Sequence, residues 1–188
     1  MYVNERLSSE DVGKFFNISS PTVQKLLKEN GVLRTYHEAK VKYTRDQKFF
    51  DKIDSEEKAY WLGFIYADGY NYEDRENLRI NLSRVDEGHL EKFKKDIKSN
   101  APIFYSEKRD NGKVFTQACI GIYDQYISET LARQGCPQNK SLTLKFPTRH
   151  IVPRELLRHF VRGYFDGDGS IASGWKNKST MYQNYKLS

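Results

Sequence analysis

Apolar residues at helical spacing begin the chain and predict two short helices. The first is expected to begin at Ser8 or Ser9 and to end at Asn17, because serine caps helix starts and asparagine tolerates the left-handed conformation at helix ends. The second is expected to run from Ser20, with a proline in its first turn, to Asn30. Two short helices joined by a tight turn are typical of a helix-turn-helix motif, and a plain helical hairpin has the same pattern.

The middle of the chain changes from helical spacing to strict alternation and back. Residues 78–83 alternate between apolar and polar side chains, which predicts a half-buried strand. The remaining elements are predicted as a helix over 86–97, strands over 103–106 and 114–123 joined by an Asn-Gly turn, and a helix over 124–134. With a helix before them, the predicted order is helix, two strands, helix, two strands, helix, in which only one strand of the first pair, at 78–83, is located by its alternation.

Two copies of one nine-residue pattern are the most informative feature of the sequence. The segments are WLGFIYADG at 61–69 and VRGYFDGDG at 161–169, and their glycines and aspartates repeat at one offset. Each copy predicts an apolar helix that ends in an aspartate, and the first helix is expected to start at Asp54 with Glu57 completing a capping box. Such a repeat indicates two equivalent units that meet about a pseudo-twofold axis.

The residue types within the repeat predict a site where the two helices meet. Gly63 and Gly163 have no side chains, so the two helix backbones can approach closely. Asp68 and Asp168 then lie at the same end of the seam, and two adjacent carboxylates can bind a divalent cation. The alternative is that both segments are ordinary buried helices that merely end at an aspartate.

The repeat and its flanks resemble the LAGLIDADG homing endonuclease family, in the form that carries both motifs in one chain. The resemblance covers roughly residues 49–175, including FFDKIDSEEKAY at 49–60, NKSLTLKFP at 139–147 and PRELLRHF at 153–160. It departs from the family pattern at Tyr66, where the family often has an acid. It implies an α+β fold with one αββαββα unit and an incomplete second unit, packed through paired motif helices.

The resemblance also implies the chemistry of the site. Asp68 and Asp168 would be catalytic and would share Mg²⁺, or another divalent cation such as Mn²⁺, with the backbone carbonyls of Ala67 and Gly167 as further ligands. Lys140 would stabilise developing charge, unless it is an ordinary solvated loop lysine. The implied function is a sequence-specific double-strand cut at a long DNA target. A DNA-binding protein or regulator of the same fold without cleavage is the alternative.

Four segments are predicted along the chain. They are a helix-turn-helix DNA-binding module at 1–35, a basic linker at 36–52, the first LAGLIDADG unit at 53–150 and the start of a second unit at 151–188. The nineteen residues after Gly169 suffice for one hairpin, expected at 170–175 and 180–185, so the second unit is predicted to be incomplete. The other half is expected from a continuation of the sequence or from another chain. Whether this chain is active by itself, and whether it is intron-borne or freestanding, stays open.

Double-stranded DNA is the predicted partner, with contacts from polar and basic side chains in three places. The candidates are Ser20, Thr22, Gln24, Lys25 and Lys28 on the second helix, Lys40, Lys42 and Arg45 in the linker, and Arg79, Asn81 and Ser83 on the strand. A net charge of +6 over 188 residues fits phosphate binding. An ordinary solvated surface has a similar composition, so the charge by itself does not decide between the two.

Composition restricts the environment of the protein. Its cysteines, Cys119 and Cys136, match neither a disulfide framework nor a zinc-binding spacing, which favours a reducing compartment. No apolar run reaches membrane-spanning length, so no membrane partner is expected. We therefore expect a cytoplasmic protein encoded by a bacterium or a phage, with an organellar origin as the alternative.

Overall fold

The chain folds into two compact units, Met1–Thr44 and Arg45–Ser188. The computed structural model describes residues 1–3, 5, 7–35, 43–110, 112–169, 171–177 and 180–187. The predicted linker at 36–52 lies partly outside these residues. Its last part packs on the second unit, where Phe50 is fully buried and the Asp46 N–H donates to the Ile97 carbonyl at 2.6 Å. None of the helices in the described part of the chain has the length and apolar character that crossing a bilayer requires.

Within its described residues, the first unit contains two helices, α1 (Ser9–Phe16) and α2 (Ser20–Glu29). Ser8 caps α1 in a capping box with Asp11, and the helix ends at Asn17 in the left-handed conformation, as predicted. The cap of α2 is Ser19, one residue before the predicted Ser20, because the Ser19 hydroxyl accepts the Thr22 N–H. The three residues between the helices form a tight turn, and a helical hairpin results.

Helix α3 (Glu56–Ala67) carries the first copy of the repeat and lies at the centre of the second unit. Every residue from Ala59 to Tyr66 is buried, so the helix is surrounded by protein on all sides. The capping box predicted at Asp54 is wrong: Ser55 is the cap, and its hydroxyl accepts the Lys58 N–H at 3.3 Å. Asp54 instead accepts a hydrogen bond from the Lys58 ammonium at 2.8 Å.

A four-stranded antiparallel sheet packs with α3. Its strands are β1 (Gly69–Tyr72), β2 (Asn77–Ser83), β3 (Phe104–Asp110) and β4 (Lys113–Tyr123), in the spatial order β1-β2-β4-β3. The prediction of β2 and its alternation over 78–83 is confirmed, because Leu78, Ile80 and Leu82 are buried while Arg79, Asn81 and Ser83 are half-buried or exposed. Strand β1 was not predicted, and the strand predicted at 103–106 ends four residues before the observed end of β3.

Two helices complete this part of the unit, α4 (Glu87–Asp96) and α5 (Gln125–Arg133). Leu90, Phe93 and Ile97 are fully buried, as the amphipathic pattern predicts. The observed order from α3 to α5 is helix, two strands, helix, two strands, helix, so the predicted α+β class and element order are confirmed.

The second copy of the repeat forms α6 (Leu157–Asp168), which follows a 3₁₀ turn at Arg154–Leu156. Strands β5 (Ile171–Asn177) and β6 (Thr180–Leu187) then pair with each other in a separate antiparallel hairpin. Both strands are longer than the predicted 170–175 and 180–185, and residues 178 and 179 between them lie outside the described residues.

Helices α3 and α6 meet backbone to backbone at the two predicted glycines. A Cβ atom on Gly63 would lie 2.0 Å from the carbonyl oxygen of Phe160, and one on Gly163 would lie 2.0 Å from that of Tyr60. The two contacts are related by the offset of the repeat, which is the signature of a pseudo-twofold axis through the seam. Only glycine permits this separation, because real Cβ contacts never become so short.

We expect Gly63→Ala to lower the free energy of unfolding by about 1–3 kcal/mol or more, the usual cost of overpacking, because a backbone oxygen cannot rotate away. Urea unfolding of the full chain measures this. Gly88→Ala is the matched control, since a Cβ at this exposed position of α4 meets no atom within 4 Å. That variant should keep or slightly gain stability. A Gly63→Ala protein as stable as the parent would contradict the close seam.

Candidate functional site

The two predicted aspartates lie at the ends of the paired helices. Asp68 directly follows α3 as its C-cap, and Asp168 is the last residue of α6. Just before them, a Cβ on Gly167 would lie 2.5 Å from the Cβ of Ala67, so the two helix ends are in contact. Both aspartate side chains are exposed. The seam therefore brings the two carboxylates together at one open end.

The electrostatics of this end favour a cation. Partial burial raises the pKa of the Asp68 carboxyl, the Asp168 carboxylate raises it further, and Lys140 opposes both effects. Carboxylate and carbonyl oxygens are the hard ligands that Mg²⁺ prefers, so the donor set fits that ion. In the described part of the chain, no three His, Cys, Asp or Glu side chains come together as a metal site. A cation here would thus rest on two carboxylates, backbone carbonyls and non-protein oxygens.

Lys140 is held beside the first aspartate. Its ammonium donates to the Ala67 carbonyl at 3.2 Å, and the residue is only 8% exposed. The preceding Asn139 has a positive φ of 57° and accepts a hydrogen bond from the Tyr70 hydroxyl at 2.9 Å, which fixes the turn that carries the lysine. The alternative of an ordinary solvated loop lysine does not agree with this burial. The same carbonyl was predicted as a metal ligand, and its second lone pair is left for that contact.

Sequence reasoning missed a polar cluster on one flank of the seam. The Tyr60 hydroxyl lies 2.7 Å from an Asp166 carboxylate oxygen and 3.1 Å from His89 Nε2. These residues border a groove of about 550 Å³ between α3, α4 and α6. The available signal was the departure from the repeat at Tyr66, whose counterpart in the second copy is the acid Asp166.

The outer face of the sheet carries the three predicted strand residues. Asn81 and Ser83 are exposed and Arg79 is half-buried, with its guanidinium 5.0 Å from the ring of Phe104 on β3. On β1 the rings of Tyr70 and Tyr72 lie 4.1 Å apart on the same face. Planar groups beside amide, hydroxyl and guanidinium groups suit both phosphates and base edges.

The predicted contact residues of α2 differ in their surroundings. The Ser20 hydroxyl lies 3.0 Å from that of Ser9 on α1, and the Gln24 amide donates to the same Ser9 hydroxyl at 3.2 Å. Thr22 lies 2.7 Å from the hydroxyl of the capping serine. Lys25 and Lys28 are exposed. These two lysines are therefore the strongest candidates for phosphate contacts in the first unit.

The predicted linker residues are corrected or lie outside the described chain. Lys40 and Lys42 belong to the residues that the structure does not describe. Arg45 has an almost fully covered side chain, and its Nε donates to an Asp124 carboxylate oxygen at 2.6 Å, with Asp124 also capping α5. The predicted phosphate contact of Arg45 is wrong, because the guanidinium is engaged with a buried carboxylate and only 8% exposed.

Comparisons with known proteins give short or distant matches. No family model matches the chain. It is 27% identical over 119 residues to the replication factor C small subunit of Methanocaldococcus jannaschii, and 27% identical over 113 residues to the DNA-directed RNA polymerase subunit Rpo1C of that organism. These matches cover 62% and 60% of this chain but only 6% and 12% of the two proteins.

One solved structure is similar over much of the chain. It is the homing endonuclease I-WcaI bound to its DNA recognition sequence, with a TM-score of 0.48 and 13% identity. The alignment covers 72% of this chain and 61% of that chain. So distant a likeness leaves the function of this protein to be argued from its own residues.

The raised pKa of Asp68 makes stability depend on pH. The folded chain keeps the Asp68 proton at pH values where the unfolded chain, with a carboxyl pKa near 3.8, has lost it. The contribution of Asp68 to the stability of the metal-free protein should therefore fall as pH rises from about 3.8 through the folded-state pKa. Asp68→Asn cannot ionise, so we expect it to lack this loss and to be more stable than the parent at neutral pH.

Urea unfolding in the presence of a chelator, between about pH 4 and about pH 7, measures the difference. Asp74→Asn, which removes one exposed carboxylate from the turn after β1, is the matched control. The same pH dependence in the parent and in Asp68→Asn would show that Asp68 is not under electrostatic strain.

Proposed function

We propose that this protein is a divalent-metal-dependent DNA endonuclease of homing type, built on the LAGLIDADG plan. The observation that carries the proposal is the pair of aspartates, Asp68 and Asp168, at the ends of two helices that approach closely at Gly63 and Gly163. Such a pair has no structural need, since each carboxylate disfavours the other. A bound divalent cation removes that cost and supplies an activated water and charge neutralisation for phosphodiester hydrolysis.

The residues around the aspartates would divide the work. Asp68, Asp168 and the carbonyls of Ala67 and Gly167 would hold the metal, while Lys140 stabilises negative charge that develops near the end of α3. The outer sheet face would bind the DNA through Arg79, Asn81 and Ser83, and the first unit would act as a helix-turn-helix that contacts a second DNA segment. A long target read by two modules gives the sequence specificity proposed for a double-strand cut.

A DNA-binding protein or regulator without cleavage is the second candidate. The observation that favours it is the separation of roles, because the proposed DNA-contacting side chains on β2 and α2 do not include the aspartates. Binding can therefore persist where cutting does not. We propose a cytoplasmic location and a bacterial or phage gene, and neither distinguishes the two candidate functions.

The aspartates provide the decisive test. Duplexes that the full chain binds are first selected from a randomised library, and Mg²⁺-dependent cutting of those duplexes is then assayed. We expect Asp68→Asn and Asp168→Asn each to slow cutting by at least about a thousandfold, as the loss of several kcal/mol of charge stabilisation implies. DNA affinity should be kept, and Asp74→Asn is the control.

Retained cutting by either aspartate variant would remove that residue from the catalytic role. A parent protein that binds its selected duplex but never cuts it in Mg²⁺ or Mn²⁺ would favour the second candidate. A parent that selects no sequence at all would contradict both candidates.

The first unit has its own test. Replacing both Lys25 and Lys28 by alanine should weaken binding to the selected duplex and flatten the plot of log affinity against log salt concentration. The expected change is roughly one unit of slope for each lost phosphate contact. Lys14→Ala removes an exposed lysine of α1 that already pairs with Glu10, and it is the matched control. An unchanged slope in the double variant would show that α2 does not contact DNA.

A further inference from the structure

The residue two positions before each aspartate anchors the last turn of its helix. In α3 this residue is Tyr66, whose hydroxyl donates to the Gln134 carbonyl at 2.6 Å. In α6 it is Asp166, whose carboxylate accepts the Tyr60 hydroxyl at 2.7 Å. The same position thus has the same role in both copies, with different chemistry. In α6, however, the partner lies on the other motif helix, so the bond crosses the seam.

Tyr60 is itself held rigidly. It is buried, the guanidinium of Arg162 lies 4.9 Å from its ring centroid, and His89 Nε2 lies 3.1 Å from its oxygen. Since the Tyr60 proton is donated to Asp166, the His89 nitrogen must be the donor to Tyr60, which places a proton on Nε2. Burial raises the pKa of the Tyr60 hydroxyl, and the Asp166 carboxylate raises it further. Tyr60 therefore remains a proton donor near neutral pH.

The histidine ties this bond to the rest of the unit. His89 belongs to α4, and its ring lies 4.8 Å from that of Trp61 and 4.7 Å from that of Phe64. The Trp61 indole N–H also donates to Asp96 on α4 at 2.7 Å. Tyr60 is therefore held by its own helix and by contacts with α4. Asp166 accepts its hydrogen bond from a hydroxyl whose position is fixed by these contacts.

We propose that Tyr60 and Asp166 form a positioning clamp across the seam that sets where Asp168 lies relative to Asp68. Asp166 and Asp168 are two residues apart in the last turn of α6, about 3 Å along the helix axis. At the opposite ends of these two helices, Glu56 lies 3.3 Å from His159 and 3.5 Å from Arg158. The hydrogen bond between Tyr60 and Asp166 therefore lies near the aspartates, whereas the contacts of Glu56 lie at the far ends of the helices.

The competing explanation is that Asp166 acts through its charge on the metal site. Asp166→Asn separates the two, because the amide oxygen still accepts the Tyr60 hydroxyl while the charge is gone. Asp166→Ala removes both the bond and the charge. Tyr60→Phe removes this bond together with the hydrogen bond to His89, and it keeps both the charge of Asp166 and the ring that packs with Arg162.

The test uses the full chain and Mn²⁺ as the probe, with free Mn²⁺ followed by electron paramagnetic resonance. We expect Tyr60→Phe and Asp166→Ala to weaken Mn²⁺ binding by at least about tenfold, the usual effect of losing a group that orients a metal ligand. Asp166→Asn should stay within about twofold of the parent. Glu56→Ala, at the far end of the seam, and Tyr126→Phe, which loses an exposed hydrogen bond to Asp51, are the controls and should also stay within that range.

A Tyr60→Phe protein with the parent's Mn²⁺ affinity would overturn the clamp. Equal losses in Asp166→Asn and Asp166→Ala would do the same, because the charge would then be the active feature. Equal losses in Glu56→Ala would show a general loosening of the seam rather than positioning.

The clamp rests on the proposed function only for its metal readout, and a second readout separates the two. A parent chain that binds no Mn²⁺ contradicts the proposed metal site, and the clamp is then judged on the metal-free protein by the NMR chemical shifts of the backbone amides of Gly167, Asp168 and Gly169. Loss of the clamp in Tyr60→Phe should shift these amide signals, while Glu56→Ala should leave them at the parent's positions. Amide signals in Tyr60→Phe that equal the parent's would overturn the clamp whatever the protein does to DNA.

Discussion

The rest of the larger unit depends on the contact between the backbones of α3 and α6. Two helices that touch at Gly63 and Gly163 exclude water from their shared face, so α3 is enclosed by α6 on one side and by the sheet and α4 on the others. Polar groups on an enclosed helix need partners. Its two tyrosine hydroxyls and its indole N–H all have them, at Asp166, Gln134 and Asp96 respectively. The close approach thus dictates the hydrogen bonding around it.

The same contact creates an unfavourable arrangement at the end of the helices. The metal-free chain holds two carboxylates together, with Lys140 only partly compensating. Folded proteins keep such strain where it serves a site, and relieve it when a ligand of opposite charge binds. Asp68 therefore lowers the stability of the metal-free protein while it is required for the proposed activity. Gly63 favours both, because the close helix contact stabilises the fold and positions the aspartates.

Local features of this fold could be predicted from sequence, and features that depend on distant partners could not. The caps at Ser8 and Asn17 and the alternation in β2 were read correctly because each depends on a few neighbouring residues. The repeat predicted the helix pair, since the relation between Gly63 and Gly163 is visible as an offset. Arg45 was misjudged because its partner, Asp124, lies 79 residues away and gives no local signal.

The site shows the same division. Asp68, Asp168 and Lys140 were predicted from the repeat and its flanks, and in the structure Lys140 lies against the carbonyl before Asp68. The hydrogen bond between Tyr60 and Asp166 joins residues 106 positions apart. The difference between Tyr66 and Asp166 in the repeat marks the acid, but nothing in the sequence indicates its partner. Short strand β1 was missed for another reason, because four residues are too few to show a period.

The side chains on the two flanks of the contact between α3 and α6 differ in chemistry. This difference favours the pairing of α3 with α6 over the pairing of either helix with a second copy of itself. On one flank Tyr60 meets Asp166, and on the other the ring of Tyr66 packs 5.0 Å from that of Phe160. If α6 paired with a second α6, Phe160 would face Asp166 on both flanks and the carboxylate would lose its donor. If α3 paired with another α3, Tyr60 would face Tyr66 twice, with no acid between them. The glycines make a twofold contact possible for any two copies, and the flanking residues restrict it to one copy of each kind.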